Sequence, residues 1–154
     1  MVTPASATPE AMARTVKELI GETAPQRGRI HLEIPPLIEN GNAVPMTVRV
    51  DSPMTADDRV AAIHVVNEKN PQPHVVSVRF SSNSARAQLS TRIKLAASQR
   101  VTAYAQMSDG SVWFDTADVI VTIAACVEDL RLWRVRSFTC HPTRARARSS
   151  RSKR

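Results

Sequence analysis

Residues 29–50 read RIHLEIPPLIENGNAVPMTVRV, and this stretch decides the fold. Ile30, Leu32 and Ile34 alternate with His31 and Glu33, the period-two pattern of a strand with one buried face. Pro35-Pro36 ends the run, because proline brings no N–H to a sheet ladder. Glu39-Asn40-Gly41-Asn42 is a turn built on Asn-Gly. Val44, Met46, Val48 and Val50 then restore the alternation, with Pro45 pointing to an edge or a bulge.

The same grammar continues downstream. Asp51-Ser52-Pro53 turns the chain, Val60 to Asn67 reads as a strand, and Asn70-Pro71-Gln72-Pro73 breaks it. Val76, Val78 and Phe80 form a further strand, and Ala87, Leu89, Thr91, Ile93 and Leu95 another. Val101, Ala103 and Ala105 lead to Met107, where Ser108-Asp109-Gly110 signals a hairpin. Val112 to Ile123 returns as the last strand, with Phe114, Thr116, Asp118, Ile120 and Thr122 on one face and Trp113, Val119, Val121 and Ile123 on the other. Upstream, Thr8 is the expected N-cap of a helix, with Pro9 at its first position and Glu10 at its positive end. Met12, Val16, Leu19 and Ile20 form its apolar stripe, and Gly21 stops it. Seven or so strands without βαβ alternation predict an all-β antiparallel sandwich preceded by one short packing helix. Segments 86–95 and 111–123 are long enough to offer a partner an edge.

At 154 residues the chain suits one domain, expected over 9–130 between a flexible start (1–8) and an Arg-rich tail (131–154). No stretch approaches the roughly eighteen apolar residues of a membrane span, so no membrane partner is expected. Met1 to Glu10 lacks a basic region followed by an apolar one, so no export signal is read there. The net charge is +7, which alone would suggest a nucleic-acid binder. Nine of the 21 Lys and Arg fall in 131–154, where there is no Asp or Glu; the remaining 12 face all 14 acidic residues, a net of −2. The basicity belongs to the tail, which is expected to be disordered. Trp133 and Phe138 are its only aromatic stacking candidates, which counts against nucleic-acid recognition.

The usual catalytic constellations are missing. Four glycines at separate turns make no phosphate loop, and no nucleophile sits beside a base in sequence. His31, His64 and His74 fall on strands or strand starts, far apart along the chain, and read as structural residues. Asp57-Asp58 and Glu128-Asp129 lie in turns and read as solvated. Cys126 and Cys140, spaced C-x13-C-H, supply too few ligands for a structural zinc, and no metal or cofactor is expected. A disulfide between them is open, and the spacing does not require it. Cys126 follows the last strand after Ala124-Ala125. Position alone leaves two readings level: a thiol projecting from the end of the domain, or a buried cysteine closing the strand.

Several segments together resemble the SoxY family. They are Pro9–Ile20, Gly28–Pro35, Glu39–Pro45 followed by Val50–Thr55, then Asn70–Pro73, Ser90–Ile93 and Met107–Gly110, in the family's order over about residues 10–126. The resemblance implies an immunoglobulin-like sandwich and a periplasmic sulfur carrier of thiosulfate oxidation, paired with a SoxZ-like subunit. It implies no catalysis by the chain itself. A cysteine near the C-terminus, here matched by Cys126, would carry the substrate covalently. A haem enzyme conjugates thiosulfate to it, a hydrolase releases sulfate, and a sulfane dehydrogenase oxidises the sulfur left behind. Two departures stand out. The family's cysteine lies among glycines, whereas here Ala124-Ala125 precede it and Val127-Glu128-Asp129 follow, which stiffens the arm. The family's arm also ends almost at once, whereas 28 residues follow Cys126 here, reading as an added tail or a change of reading frame. Two alternatives follow: a non-carrying SoxY-like subunit that still pairs with its partner, and a nucleic-acid-associated protein acting through the tail.

Overall fold

The computed structural model describes residues 8–122. The expectations for 1–7 and for 123–154, including Cys126, Cys140, Glu128-Asp129 and the basic tail, fall outside the described residues. The helix α1 spans Pro9–Ile20 as its punctuation predicts. Thr8 Oγ1 accepts from the Ala11 N–H at 3.2 Å, and Gly21, at φ 73°, closes the other end by donating to the Lys17 carbonyl at 2.9 Å.

Nine strands follow: β1 (Gln26–Arg27), β2 (Ile30–Glu33), β3 (Leu37–Ile38), β4 (Val44–Val50), β5 (Val60–Asn67), β6 (His74–Arg79), β7 (Gln88–Ile93), β8 (Gln99–Met107) and β9 (Val112–Val121). The larger sheet runs β1-β9-β8-β5-β6 with β3 also on β9, and the smaller runs β2-β4-β7. This is the all-β sandwich that the alternation predicts, with the immunoglobulin-like form that the SoxY resemblance implies. Met46, Val44, Val48, Ile63, Val65 and Val101 are fully buried between the sheets. β5 is buried on both faces, because α1 lays its apolar stripe over the outer side of the larger sheet.

Three details differ from expectation. β1 and β3, two residues each, pair with β9 in parallel, so the larger sheet is mixed. Segments this short carry no period to read. β9 is an interior strand between β8 and β1/β3, not a free edge; the outer strands are β1, β3 and β6 in the larger sheet and β2 and β7 in the smaller, so of the two expected edges only 86–95, in β7, lies at one. Pro45 lies in the central strand of the smaller sheet. The β2 ladder on β4 ends at Thr47, and Val50 donates toward the β7 side (to Ala87 O, 3.0 Å), so by alternation the nitrogen of Pro45 faces the side that β2 has left.

The chain changes sheets at Gly28 (φ 121°) and Arg29 (φ 56°), passing from β1 to β2. The positive φ is what calls for glycine at position 28, since a Cβ there would meet the Trp113 ring at 3.4 Å, an ordinary packing distance. The seam is held by Asp115 on β9, whose carboxylate accepts from the Leu32 N–H at 2.9 Å.

Candidate functional site

The end of β9 is pinned on both flanks. On one side Val121 donates its N–H to Ser98 Oγ at 2.8 Å, a side chain continuing where the β8 ladder stops at Gln99. On the other, Ile120 donates to the Pro36 carbonyl at 2.8 Å and Thr122 to the Ile38 carbonyl at 3.0 Å. Gly41 packs beneath: its carbonyl accepts from Leu95 at 2.8 Å, and an added Cβ would collide with the Leu95 carbonyl oxygen and meet Val121 Cγ1 at 3.3 Å. The Asn-Gly turn thus needs glycine for close approach and not for a left-handed backbone. Asn40 closes it by accepting the Asn42 N–H on its side chain at 2.9 Å.

Cys126 lies four residues past Thr122, so chain geometry keeps it within about 14 Å of that anchor. Beside the anchor, Leu37 and Ile120 are register partners and stand 60% and 57% exposed.

The three histidines separate into two settings. His31, exposed, pairs its Nε2 with Asp51 Oδ2 at 2.7 Å. His64 and His74, which read as unrelated in sequence, converge on one hydroxyl: Ser77 Oγ lies 2.6 Å from His64 Nδ1 and 2.7 Å from His74 Nε2. His64 is only 6% exposed, and its Nε2 is buried without a hydrogen-bond partner. Burial first, then the neighbouring His74 and Arg79, hold its pKa below the usual 6.5; Gln106 opposes them in part. Seeing this cluster requires the β5–β6 register, His64 opposite Ser77, which no local pattern announces. Of the carboxylate pair, Asp57 is exposed, while Asp58 accepts both contacts of a forked ion pair from Arg29, at 2.6 and 2.8 Å. Among the described residues no three His, Cys, Asp or Glu side chains converge as metal ligands, and no helix is long and apolar enough to cross a membrane.

The family described as "Sulfur oxidation protein SoxY" matches residues 16–126, from within α1 through the sandwich to the cysteine. The chain belongs to the SoxY family. Its architecture agrees with the sulfur carrier protein SoxY from Chlorobium limicola f thiosulfatophilum at a TM-score of 0.64 and 22% identity, over 75% of this chain and 100% of that one. The superoxide reductase (neelaredoxin) from Ignicoccus hospitalis follows at a TM-score of 0.55 and 16% identity, over 75% and 94%. The superoxide reductase from Nanoarchaeum equitans gives 0.51 and 16%, over 64% and 96%. At these identities the structures establish a shared fold and nothing about activity. No curated protein matches the chain. Membership of the SoxY family gives the protein a role in sulfur oxidation.

Proposed function

We propose that this SoxY-family protein is a non-catalytic sulfur carrier of thiosulfate oxidation, holding pathway intermediates covalently on Cys126. The observation that carries the reading is the extent of the family match, which runs to residue 126 and ends on the cysteine. The anchoring of β9 supports it. A strand hydrogen-bonded on both sides as far as Thr122 supplies a rigid base, and the next four residues supply the reach.

The chemistry asks only for a sulfur nucleophile. The Cys126 thiolate joins the outer sulfur of thiosulfate, forming Cys–S–S–SO3− and releasing two electrons to a haem enzyme. Water then cleaves the S–SO3 bond in a hydrolase, leaving Cys–S–S−, sulfate and two protons. A sulfane dehydrogenase oxidises the remaining outer sulfur. Each step makes or breaks a bond at sulfur, the reversible chemistry for which a thiolate is suited. The visiting enzymes supply acid, base and oxidant, so the carrier needs no triad or metal. A SoxZ-like subunit is the stable partner in this reading, the periplasm is the compartment, and residues 9–130 form the carrier domain with 131–154 as an appended basic tail.

The test incubates the full-length protein with thiosulfate and the haem enzyme, followed by peptide mapping. The expected product is a thiosulfonate adduct on Cys126 that is missing from Cys126→Ser. Adducts confined to Cys140, or none at all, would show that the chain pairs with Sox partners without carrying sulfur.

A further inference from the structure

A cationic cavity lies on the outer face of the larger sheet, away from the end of β9. Across β6, β5 and β8 one row of register partners reads Arg79, Ala62, Gln106. Partners in register project from the same face, so a long cationic side chain and a long amide flank a methyl group. The small Ala62 leaves a depression between them, spanning two strand spacings, about 10 Å. His64 continues the face two residues along β5, and Arg59 approaches from just before the β5 bulge. With Leu19 at the end of α1 and Ser108 in the β8–β9 hairpin, these residues line a cavity of ≈ 430 Å³.

No Asp or Glu is among the lining residues. Neither Arg59 nor Arg79 enters any of the ion pairs made among the described residues, which engage Lys17, Arg29, His31, Arg49 and Arg100. The absence of acids here is notable because residues 1–130 carry a net charge of −2. Two guanidiniums and a buried imidazole therefore share one concave site with nothing of opposite charge in it. Like charges gathered this way repel, and a bound anion removes the repulsion. The carboxamide of Gln106 adds N–H donors across Ala62 from Arg79, and guanidinium forks match the edge of a tetrahedral oxyanion.

We propose that the cavity over Ala62 is a non-covalent binding site for a small tetrahedral oxyanion dianion, held by Arg79, Arg59 and Gln106. In a protein of sulfur oxidation the physiological source is a sulfur oxyanion, sulfate or thiosulfate, and inorganic phosphate is the shape-matched competitor. The site is independent of Cys126 and stands or falls apart from the carrier reading. His64 reports on it: a dianion beside Arg79 offsets the cationic field that disfavours the imidazolium, so occupancy raises the His64 pKa.

The test uses full-length Cys126→Ser protein, so that no covalent adduct forms, titrated with sodium sulfate, thiosulfate or phosphate against sodium chloride at matched ionic strength. Calorimetry gives affinity, and NMR of the His64 imidazole and the Gln106 carboxamide gives location. Saturable binding of the sulfur oxyanions is expected, with both signals shifting together. Arg79→Gln and Arg59→Gln should each weaken it about tenfold, the size of one lost charged hydrogen bond. Arg79 is exposed, so its variant is expected to stay folded, and circular dichroism checks this. Shifts that merely follow ionic strength would overturn the proposal. So would binding retained by the double variant, since that would locate the anion on the Arg-rich residues 131–154. Phosphate binding tenfold tighter than both sulfur oxyanions would overturn the sulfur assignment.

Discussion

His64 is held where its charge is disfavoured, and this has a thermodynamic consequence. Its pKa is lowered from 6.5 in the folded protein, first by burial, so between 6.5 and the lower folded value the unfolded chain binds the proton more readily. The stability associated with neutral His64 is therefore complete above about pH 6.5 and is lost as pH falls toward the folded value. We expect the melting temperature to drop between pH 7 and 5, with a shallower drop in His64→Leu; parallel curves would refute this assignment. Gly41 carries a different kind of constraint. Gly41→Ala forces a Cβ onto the Leu95 carbonyl oxygen and should cost about 1–3 kcal/mol in urea unfolding. A change below about 0.5 kcal/mol, the range of ordinary surface substitutions, would mean that the loop gives way freely.

Between elements, the weak seam of the sandwich is where β2 turns its open flank to β9, and Asp115 bridges it. Asp115→Ala leaves the Leu32 N–H without its acceptor and should cost about 1–3 kcal/mol. Asp115→Asn keeps an acceptor oxygen and should recover most of that loss; equal losses in the two would assign the effect to something other than the bridge. The strands themselves were legible because each buries one face, as the period-two runs of Ile30–Ile34 and Val44–Val50 declare. The helix was legible because Thr8, Pro9 and Gly21 satisfy its ends chemically. The minor strands β1 and β3 were not, since two residues cannot show a period. The role of Gly41 was only half legible. Asn-Gly announces a turn, but the neighbour it must clear lies 54 residues away at Leu95. The convergence of His64, Ser77 and His74 was hidden for the same reason: it exists only once β5 and β6 are in register.

For the molecule as a whole, the proposed carrier role makes the sandwich a mount for Cys126. Its larger sheet carries β9 to an anchored end at Thr122, beside the exposed pair Leu37 and Ile120, and the family match continues four residues further to Cys126. Residue patterns alone left Cys126 level between buried and exposed readings. The order of segments resembling the SoxY family tilted that balance, and the match over 16–126 established the family. The basic charge, by contrast, misleads when taken over the whole chain, because it resides in 131–154 and leaves the domain slightly acidic. The central claim is covalent carriage on Cys126, and intact-protein mass spectrometry with peptide mapping tests it most directly, on protein isolated from cells grown on thiosulfate. The account predicts sulfur-containing adducts on the peptide bearing Cys126, removed by a thiol reductant. A bare Cys126 thiol, or a Cys126–Cys140 disulfide in all of the protein, would contradict it.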